Sequence, residues 1–347
     1  MHLKTIDPTT DPLWLQLVTD SPSTLFHSPE WCQVLTDTYG FAPEATVLVD
    51  EHDVPRAGFL YVNIDDAMDP RIVSLPFSDF CDPIVRDMAD WEALIGDLVN
   101  SDHRIQLRCL HGDVPLGDAR FETVGRARWH AIDLDRDLDD IWNGLDSSAR
   151  QSIRKARNQG VEIRVAESKS DLRAFFELHL GVRKRKYELL AQPYRFFEQI
   201  WERLLSRDRG ALLLGLHQGR VVSGIMFLEW QQTLFYKFNA SDDSQLSVRP
   251  NDVLIWAGIE HAKARDLRRF DFGLSDWDQE GLLRYKRKYA TVEKPIYFLR
   301  RMPEGAPSSR ERQLRAMLPQ LTAILVDPNV PDATSEAAGD LLYRFFV

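Results

Sequence analysis

The stretch RFDFGLSDWDQEGLLRYKRKY, residues 269–289, decides how the second half of the chain is read. Phe270 and Phe272 alternate as in a short apolar strand, and Gly273 breaks it. Ser275, Asp276 and Asp278 follow as a polar loop. A basic helix then carries Tyr285 and Lys286 near its middle. A strand that stops at a glycine before a short helix presents side chains at the end of a sheet, where function concentrates. The competing reading is a pair of core phenylalanines and a solvated Lys/Arg helix face.

Working outward, three strands are expected at 211–216, 221–229 and 234–239, then an apolar helix at 252–265 and a last strand at 295–300. Upstream lie a strand at 161–165 and helices at 170–186 and 194–205. The first half starts helical over 10–40, where Asp11 and Ser28 cap and Pro12 and Pro29 occupy first-turn positions. Strands follow at 45–49 and 56–62 around a polar turn, then at 71–75, 104–110 and 129–134, with a helix at 90–98. Prolines bracket PFSDFCDP, residues 76–83, as an extended loop. The segment 137–158 is helical with a break near 146–148. Beyond PEGAP, residues 303–307, helical patterns at 310–326 and 335–346 are expected to pack on the body.

VLVDEHDVPRAGFL, residues 47–60, resembles LLGLHQGRVVSGIM, residues 213–226, and aligns Gly58 with Gly224. Each copy reads strand, polar turn, strand after helices. The expected fold is therefore α+β with two tandem mixed units. They would span 1–136 and 137–303, with a helical tail at 304–347.

The chain has 347 residues, 44% hydrophobic and 28% charged, the composition of a soluble globular protein large enough for two domains. Its net charge of -10 argues against a DNA partner, so any anionic ligand must meet a local basic patch. Cys32, Cys81 and Cys109 are far apart and suggest neither a zinc site nor a disulfide framework. No signal core or run of 18 apolar residues is visible. The expected location is cytoplasmic, with attachment to the inner face of a membrane left open.

Basic residues cluster in the second half: Arg150, Arg154 and Arg157 on one helical face; Arg183 to Lys186, with Tyr187 one turn after Arg183; and Arg284 with Lys286 to Lys288. Each cluster alone reads as a solvated face. Three of them in an acidic chain favour a phosphate or pyrophosphate ligand, which arginine's planar fork suits. Asp79 and Asp82 sit in the proline-bracketed loop. There a carboxylate either orients an amine or makes turn bonds to its own backbone. His130 reads as structural, and no metal site is expected.

These segments together resemble the FemAB-like transferases. The resemblance runs from about residue 26 to 300 and is carried by FHSPEW (26–31), SLPFSD (74–79), the helix at 150–160, YKFNASD (236–242) and FDFG (270–273) with Tyr285 and Lys286. It implies two tandem domains of the GCN5-related N-acetyltransferase (GNAT) fold with a cleft between them. The best-known members move amino acids from aminoacyl-tRNA to a peptidoglycan precursor. The family's Phe-Lys pair falls on Tyr285 and Lys286, its Arg-x-x-x-Tyr pattern on Arg183 and Tyr187, its strand tyrosine on Tyr236 and its loop aspartate on Asp79. Lys286 and Asp79 are thus the implied catalytic residues, with Ser241 and Arg154 as further substrate contacts. Asn239 stands where many relatives have glycine.

The implied reaction is acyl transfer to a primary amine, expected on a phosphate-bearing cell-envelope or polysaccharide precursor. In acetyltransferases of this fold, coenzyme A rests its pyrophosphate on glycine-rich amides before a helix. The matching segment SVRPND, residues 247–252, has no glycine, lacks an amide at Pro250 and carries Asp252, which would repel a pyrophosphate. Arg249 and Asn251 are the candidates to contact a donor there. The donor is expected to be aminoacyl-tRNA or acyl-carrier protein, or acyl-coenzyme A bound differently, with no tightly held cofactor. The alternatives are a coenzyme A-dependent N-acetyltransferase and a non-catalytic module that binds a phosphate-bearing precursor.

Overall fold

The computed structural model describes residues 1–303 and 308–347; residues 304–307, where the tail was expected to begin, lie outside them. The chain opens with β1 (His2–Ile6), α1 (Pro12–Asp20), α2 (Pro29–Tyr39), β2 (Pro43–Val49), β3 (Pro55–Ile64), β4 (Arg71–Val73), α3 (Met88–Val99) and β5 (Arg104–Cys109). Then come β6 (Glu122–Asp133), α4 (Leu138–Gly144) and α5 (Ser147–Asn158). The same order returns as β7 (Glu162–Val165), α6 (Lys169–Gly181), α7 (Tyr194–Arg203), β8 (Gly210–His217), β9 (Arg220–Trp230), β10 (Thr233–Ser241), α8 (Pro250–Ala264) and β11 (Arg269–Asp276). The chain ends with α9 (Glu280–Arg287), β12 (Val292–Arg301), α10 (Ser309–Leu325) and α11 (Asp332–Leu342).

The fold is mixed α+β. The two units do not keep separate sheets: all strands join in one sheet of order β1-β2-β3-β4-β5-β12-β6-β11-β10-β9-β8-β7. Pairing is antiparallel except at β4–β5 and β10–β11. Those two parallel pairs occupy equivalent places in the repeat. The closing strands are exchanged: β12 pairs with β5, β6 pairs with β11, and β6 and β12 pair with each other.

The repeat has a packing reason. In each copy a helix lies so close to a strand that only glycine fits beneath it. A Cβ on Gly58 would meet Leu17 at 2.5 Å and Trp14 at 2.8 Å, both on α1; one on Gly224 would meet Phe175 of α6 at 2.6 Å. Helices α1, α2, α6 and α7 cover one face of the sheet in a single core that includes Trp14, Trp31, Phe175 and Phe196. On the other face α8 and α5 cover the second half and α3 the first.

Three sequence expectations are corrected. Gly273 does not end its strand: β11 continues to Asp276 through a bulge, because Gly273 takes φ 65 and lets pairing resume. The helix expected over 170–186 widens into a π turn at Val182–Lys186, where Tyr187 N–H reaches Val182 O. Strand β6 begins seven residues before the expected 129, since its polar first half is held by backbone pairing to β12 rather than by burial. Edge strand β1, half-exposed and without clear alternation, was not anticipated. Among the described residues no helix is long and apolar enough to cross a membrane.

Candidate acyl-transfer cleft

Strands β10 and β11 pair over only three residues, Thr233–Phe235 with Arg269–Asp271. Beyond these each strand is irregular, β10 between Tyr236 and Phe238 and β11 between Asp271 and Leu274. The Asp271 carboxylate accepts the Gly273 N–H at 2.6 Å and fixes the bend. A cavity of about 650 Å³ opens where the strands part, roofed by α9.

Lys286 projects from α9 to the cavity floor. Its Nζ donates to the carbonyls of Leu274 at 2.9 Å and Gly273 at 3.2 Å, and its side chain is almost fully buried. Burial lowers the ammonium to about 8; the carboxylates of Asp79 and Asp271 act against that shift.

Asp79 arrives from the first half. The equivalent gap beyond the β4–β5 pair is filled by the chain itself, with Ser74 N–H bonded to Gln106 O and Cys81 N–H to Arg108 O. Trp31 Nε1 donates to Ser78 Oγ at 2.9 Å and Arg108 to Ser78 O at 3.0 Å, so the loop that carries Asp79 is fixed. Asp79 Oδ1 accepts from Lys237 Nζ at 2.7 Å and Oδ2 from Leu274 N–H at 3.3 Å. Burial would raise this carboxyl, but Lys237, these hydrogen bonds and Lys286 outweigh it and hold it below the usual carboxylate value.

Lys237 is the residue that sequence reasoning missed. It sits at the β10 irregularity, with its ammonium 4.6 Å from the Phe26 ring centre and 5.3 Å from that of Trp31. Its signal was one lysine inside an apolar strand, LFYKFNA. A lysine there is costly unless it meets a carboxylate and aromatic faces.

Tyr187, Tyr236, Ser241, Asn251 and Tyr285 line the same cavity as Asp79 and Lys286. Tyr236 accepts from Asn239 at 2.5 Å, so the asparagine in the glycine position supports the wall without a positive φ. Ser241 Oγ donates to Asn251 Oδ1 at 2.8 Å.

Arg183, Arg154 and Arg249 are absent from the cavity lining. The π turn separates Arg183 from Tyr187, and its Nε donates to Leu190 O at 3.0 Å. Arg154 lies over Trp142, and Arg249 is exposed ahead of α8. Most of the basic clusters serve the fold: Arg150 caps carbonyls at the end of α4, Arg157 pairs with Glu260, Lys184 and Arg185 with Asp332, and Arg287 with Glu293. Only Lys186 and Lys286 of those clusters reach the cleft.

The expected repulsion from Asp252 is also corrected. This carboxylate is buried, accepts the Tyr289 hydroxyl at 2.6 Å and so does not face a ligand before α8. Asp82 likewise turns inward, taking the N–H groups of Leu110, His111 and Gly112 on one oxygen. It anchors the loop through backbone about thirty residues away and not through the local turn bonds expected. All three cysteines are buried free thiols, and among the described residues no cluster of His, Cys, Asp or Glu is grouped for a metal.

Residues 146–287 match the family described as acetyltransferase (GNAT) domain. Among solved structures, FemX superposes with a TM-score of 0.65 at 14% identity over 92% of this chain and 100% of FemX. The tandem GNAT protein from the clavulanic acid biosynthesis pathway gives 0.56 at 12% identity, over 88% of this chain and 100% of its own. L-PGS from Bacillus licheniformis gives 0.55 at 12%, over 91% and 98%. No curated protein matches the sequence. The similarity is one of fold along nearly the whole chain.

Proposed function

We propose that this chain, which carries an acetyltransferase (GNAT) domain at 146–287 within a FemX-like fold, moves an acyl or aminoacyl group onto a primary amine. The observation that carries this reading is the Lys286 ammonium, buried at the floor of the gap between β10 and β11 and facing Asp79 from the other half. In acyl transfer the amine nitrogen attacks the donor carbonyl, whose oxygen gains negative charge. The bond to the carrier then breaks, and the proton lost by the amine ends on the departing carrier oxygen or sulfur. A cation fixed in a water-poor site stabilises that oxygen without reorganising. Lys286 takes this role. Asp79, ionised and already paired with Lys237, is a weak base; its role is to orient the amine through its remaining lone pairs.

Lys186, Lys237 and Lys286 all line the cleft against Asp79 and Asp243. That balance favours an anionic ligand, such as a phosphate-bearing envelope or polysaccharide precursor. The donor is aminoacyl-tRNA, a carrier protein or acyl-coenzyme A. With Asp252 buried, the case against coenzyme A rests on the absence of glycine from residues 247–252 and on Pro250, which offers no N–H at the start of α8.

Two measurements test the reading. Lys286→Met should lower turnover about 100- to 1000-fold, the scale of one lost oxyanion donor, with little change in ligand affinity. Loss of affinity with turnover intact would make the cleft a binding site alone. Calorimetric titration with acetyl-coenzyme A at low salt separates the donors: one-to-one binding assigns coenzyme A, and no binding leaves aminoacyl-tRNA or a carrier protein.

A further inference from the structure

A second cavity, of about 700 Å³, lies along the face of the β10–β11 pair that carries Thr233, Phe235, Arg269 and Asp271, and residues of the first half line it as well. Strand alternation along β11 builds one of its walls. Phe270 and Phe272 point into the core with α8, so Arg269 and Asp271 point the other way, toward the cavity. Two residues apart on one strand, their Cα atoms are separated by roughly 7 Å.

These opposite charges do not pair with each other. The Arg269 guanidinium makes no ion pair or hydrogen bond among the described residues and lies 5.9 Å from the Trp129 ring centre. Asp271 is 2% exposed; one oxygen takes the Gly273 N–H, the Trp129 indole N–H lies beside the carboxylate, and no cation forms a salt bridge with it among the described residues. The Trp129 indole N–H is buried next to Asp271 without a close hydrogen bond, and His111 packs edge-on against that indole. The other cations of this cavity, Arg56 and Arg86, are already held by Asp90, at 2.7 Å and 3.5 Å. Arg269 is thus left without a counter-ion on this wall and Asp271 without a salt bridge, its charge met only by the Gly273 N–H, the Trp129 indole and the field of the Lys286 ammonium, while Asp20 and Asp82 add carboxylates elsewhere in the lining. A simple anion would be repelled by Asp271, and a simple amine by Arg269.

We propose that this cavity binds a zwitterion, an α-amino acid or a dipeptide, with its ammonium on Asp271 and its carboxylate on Arg269. The cavity and the Lys286 cleft share Asp271, whose carboxylate also acts on the Lys286 ammonium, but the proposal does not depend on the acyl-transfer reading.

The test is calorimetric titration of the full chain with L-alanine and with L-alanyl-L-alanine, using ethylamine and acetate as single-charge controls. Two variants accompany it: Arg269→Gln, at the exposed start of β11, and Asp271→Asn, which retains an acceptor for Gly273 N–H. At least one zwitterion should bind one-to-one. Each control and each variant should weaken binding by about tenfold or more, the loss expected for one charge-assisted hydrogen bond. The stronger of the two probes tells a free amino acid from a peptide. The proposal is overturned if neither zwitterion binds, if ethylamine or acetate binds as tightly, or if Arg269→Gln binds like the parent. Binding that survives both variants but disappears in Lys286→Met would put the ligand in the cleft instead, and would equally overturn it.

Discussion

At the scale of single residues, Lys286 has two opposite pH signatures. Its folded-state value of about 8 lies below the ordinary 10.5, mainly through burial. Between those values the unfolded chain holds a proton that the folded chain has released. This residue's contribution to stability therefore rises with pH, from about pH 8 to about pH 10. Its charge is lost over the same approach, so a reaction that needs the cation should slow above about pH 8. Acyl transfer by the parent should show that descending limb. Urea unfolding of Lys286→Met should lack the part of the stability rise that the parent shows; identical slopes would mean that Lys286 is not perturbed. Gly273 gives a second residue-level test. Its φ of 65 disfavours a side chain, and a Cβ there would meet Asp79 Oδ2 at 2.5 Å. Gly273→Ala should cost about 1–3 kcal/mol in denaturant titration and displace Asp79 from the cleft. Lys286, Asp79 and the cleft tyrosines were legible because a family pattern fell on them. Lys237 was not: it reads as one more polar residue in a strand until the loop from the other half brings Asp79 to it. Arg183 misled for the converse reason, since a π turn cannot be told from an α-helix by spacing alone.

At the scale of elements, the C-terminal helices brace the cleft from behind. The π turn carries Lys186 and Tyr187 into the cavity, while its buried Lys184 turns back to Val330 O and to the Asp332 carboxylate at 2.9 Å. Arg185 reaches the same carboxylate, and Arg173 of α6 holds Glu336 through two hydrogen bonds at 2.7 Å and 2.8 Å. Helix α11 thus fixes the position of a cleft wall it does not itself line. Asp332→Ala leaves Lys184 with one acceptor and should cost about 1–3 kcal/mol by thermal or chemical denaturation. It should also speed amide exchange at residues 182–190 relative to the sheet. Unchanged exchange there would mean that the turn is held by α6 alone. Periodicity and capping residues made most helices and hairpins legible. The exceptions were held by partners: β1 and the first half of β6 exist because neighbouring strands pair with them, and neither has the apolar alternation that marks a strand by itself.

At the scale of the whole molecule, the repeat was visible in sequence but its joining was not, because strand exchange leaves no local mark. A division at 136/137 falls between β6 and α4, yet β12 from the second part lies between β5 and β6 of the first. Separated fragments would each lose the neighbour that completes their sheet and expose unpaired edges. The tail adds to this dependence. Glu311 of α10 meets Arg104 of β5 at 2.7 Å, with both side chains nearly buried, while α11 is tied to the second half. A fragment of residues 1–136 would hold Arg104 without its partner, a loss of about 3–5 kcal/mol in a buried pair, on top of the missing strand. We therefore expect fragments 1–136 and 137–347, expressed apart, to lack cooperative thermal unfolding. Co-expressed, they should recover a one-to-one complex with the sheet signature of the intact chain. A fragment 1–136 that is monomeric and unfolds cooperatively by itself would show that β12 and the tail are additions to an autonomous unit. Dependence in both directions would instead explain how the cleft is held together: Asp79 stays opposite Lys286 because neither half can complete its sheet without a strand from the other.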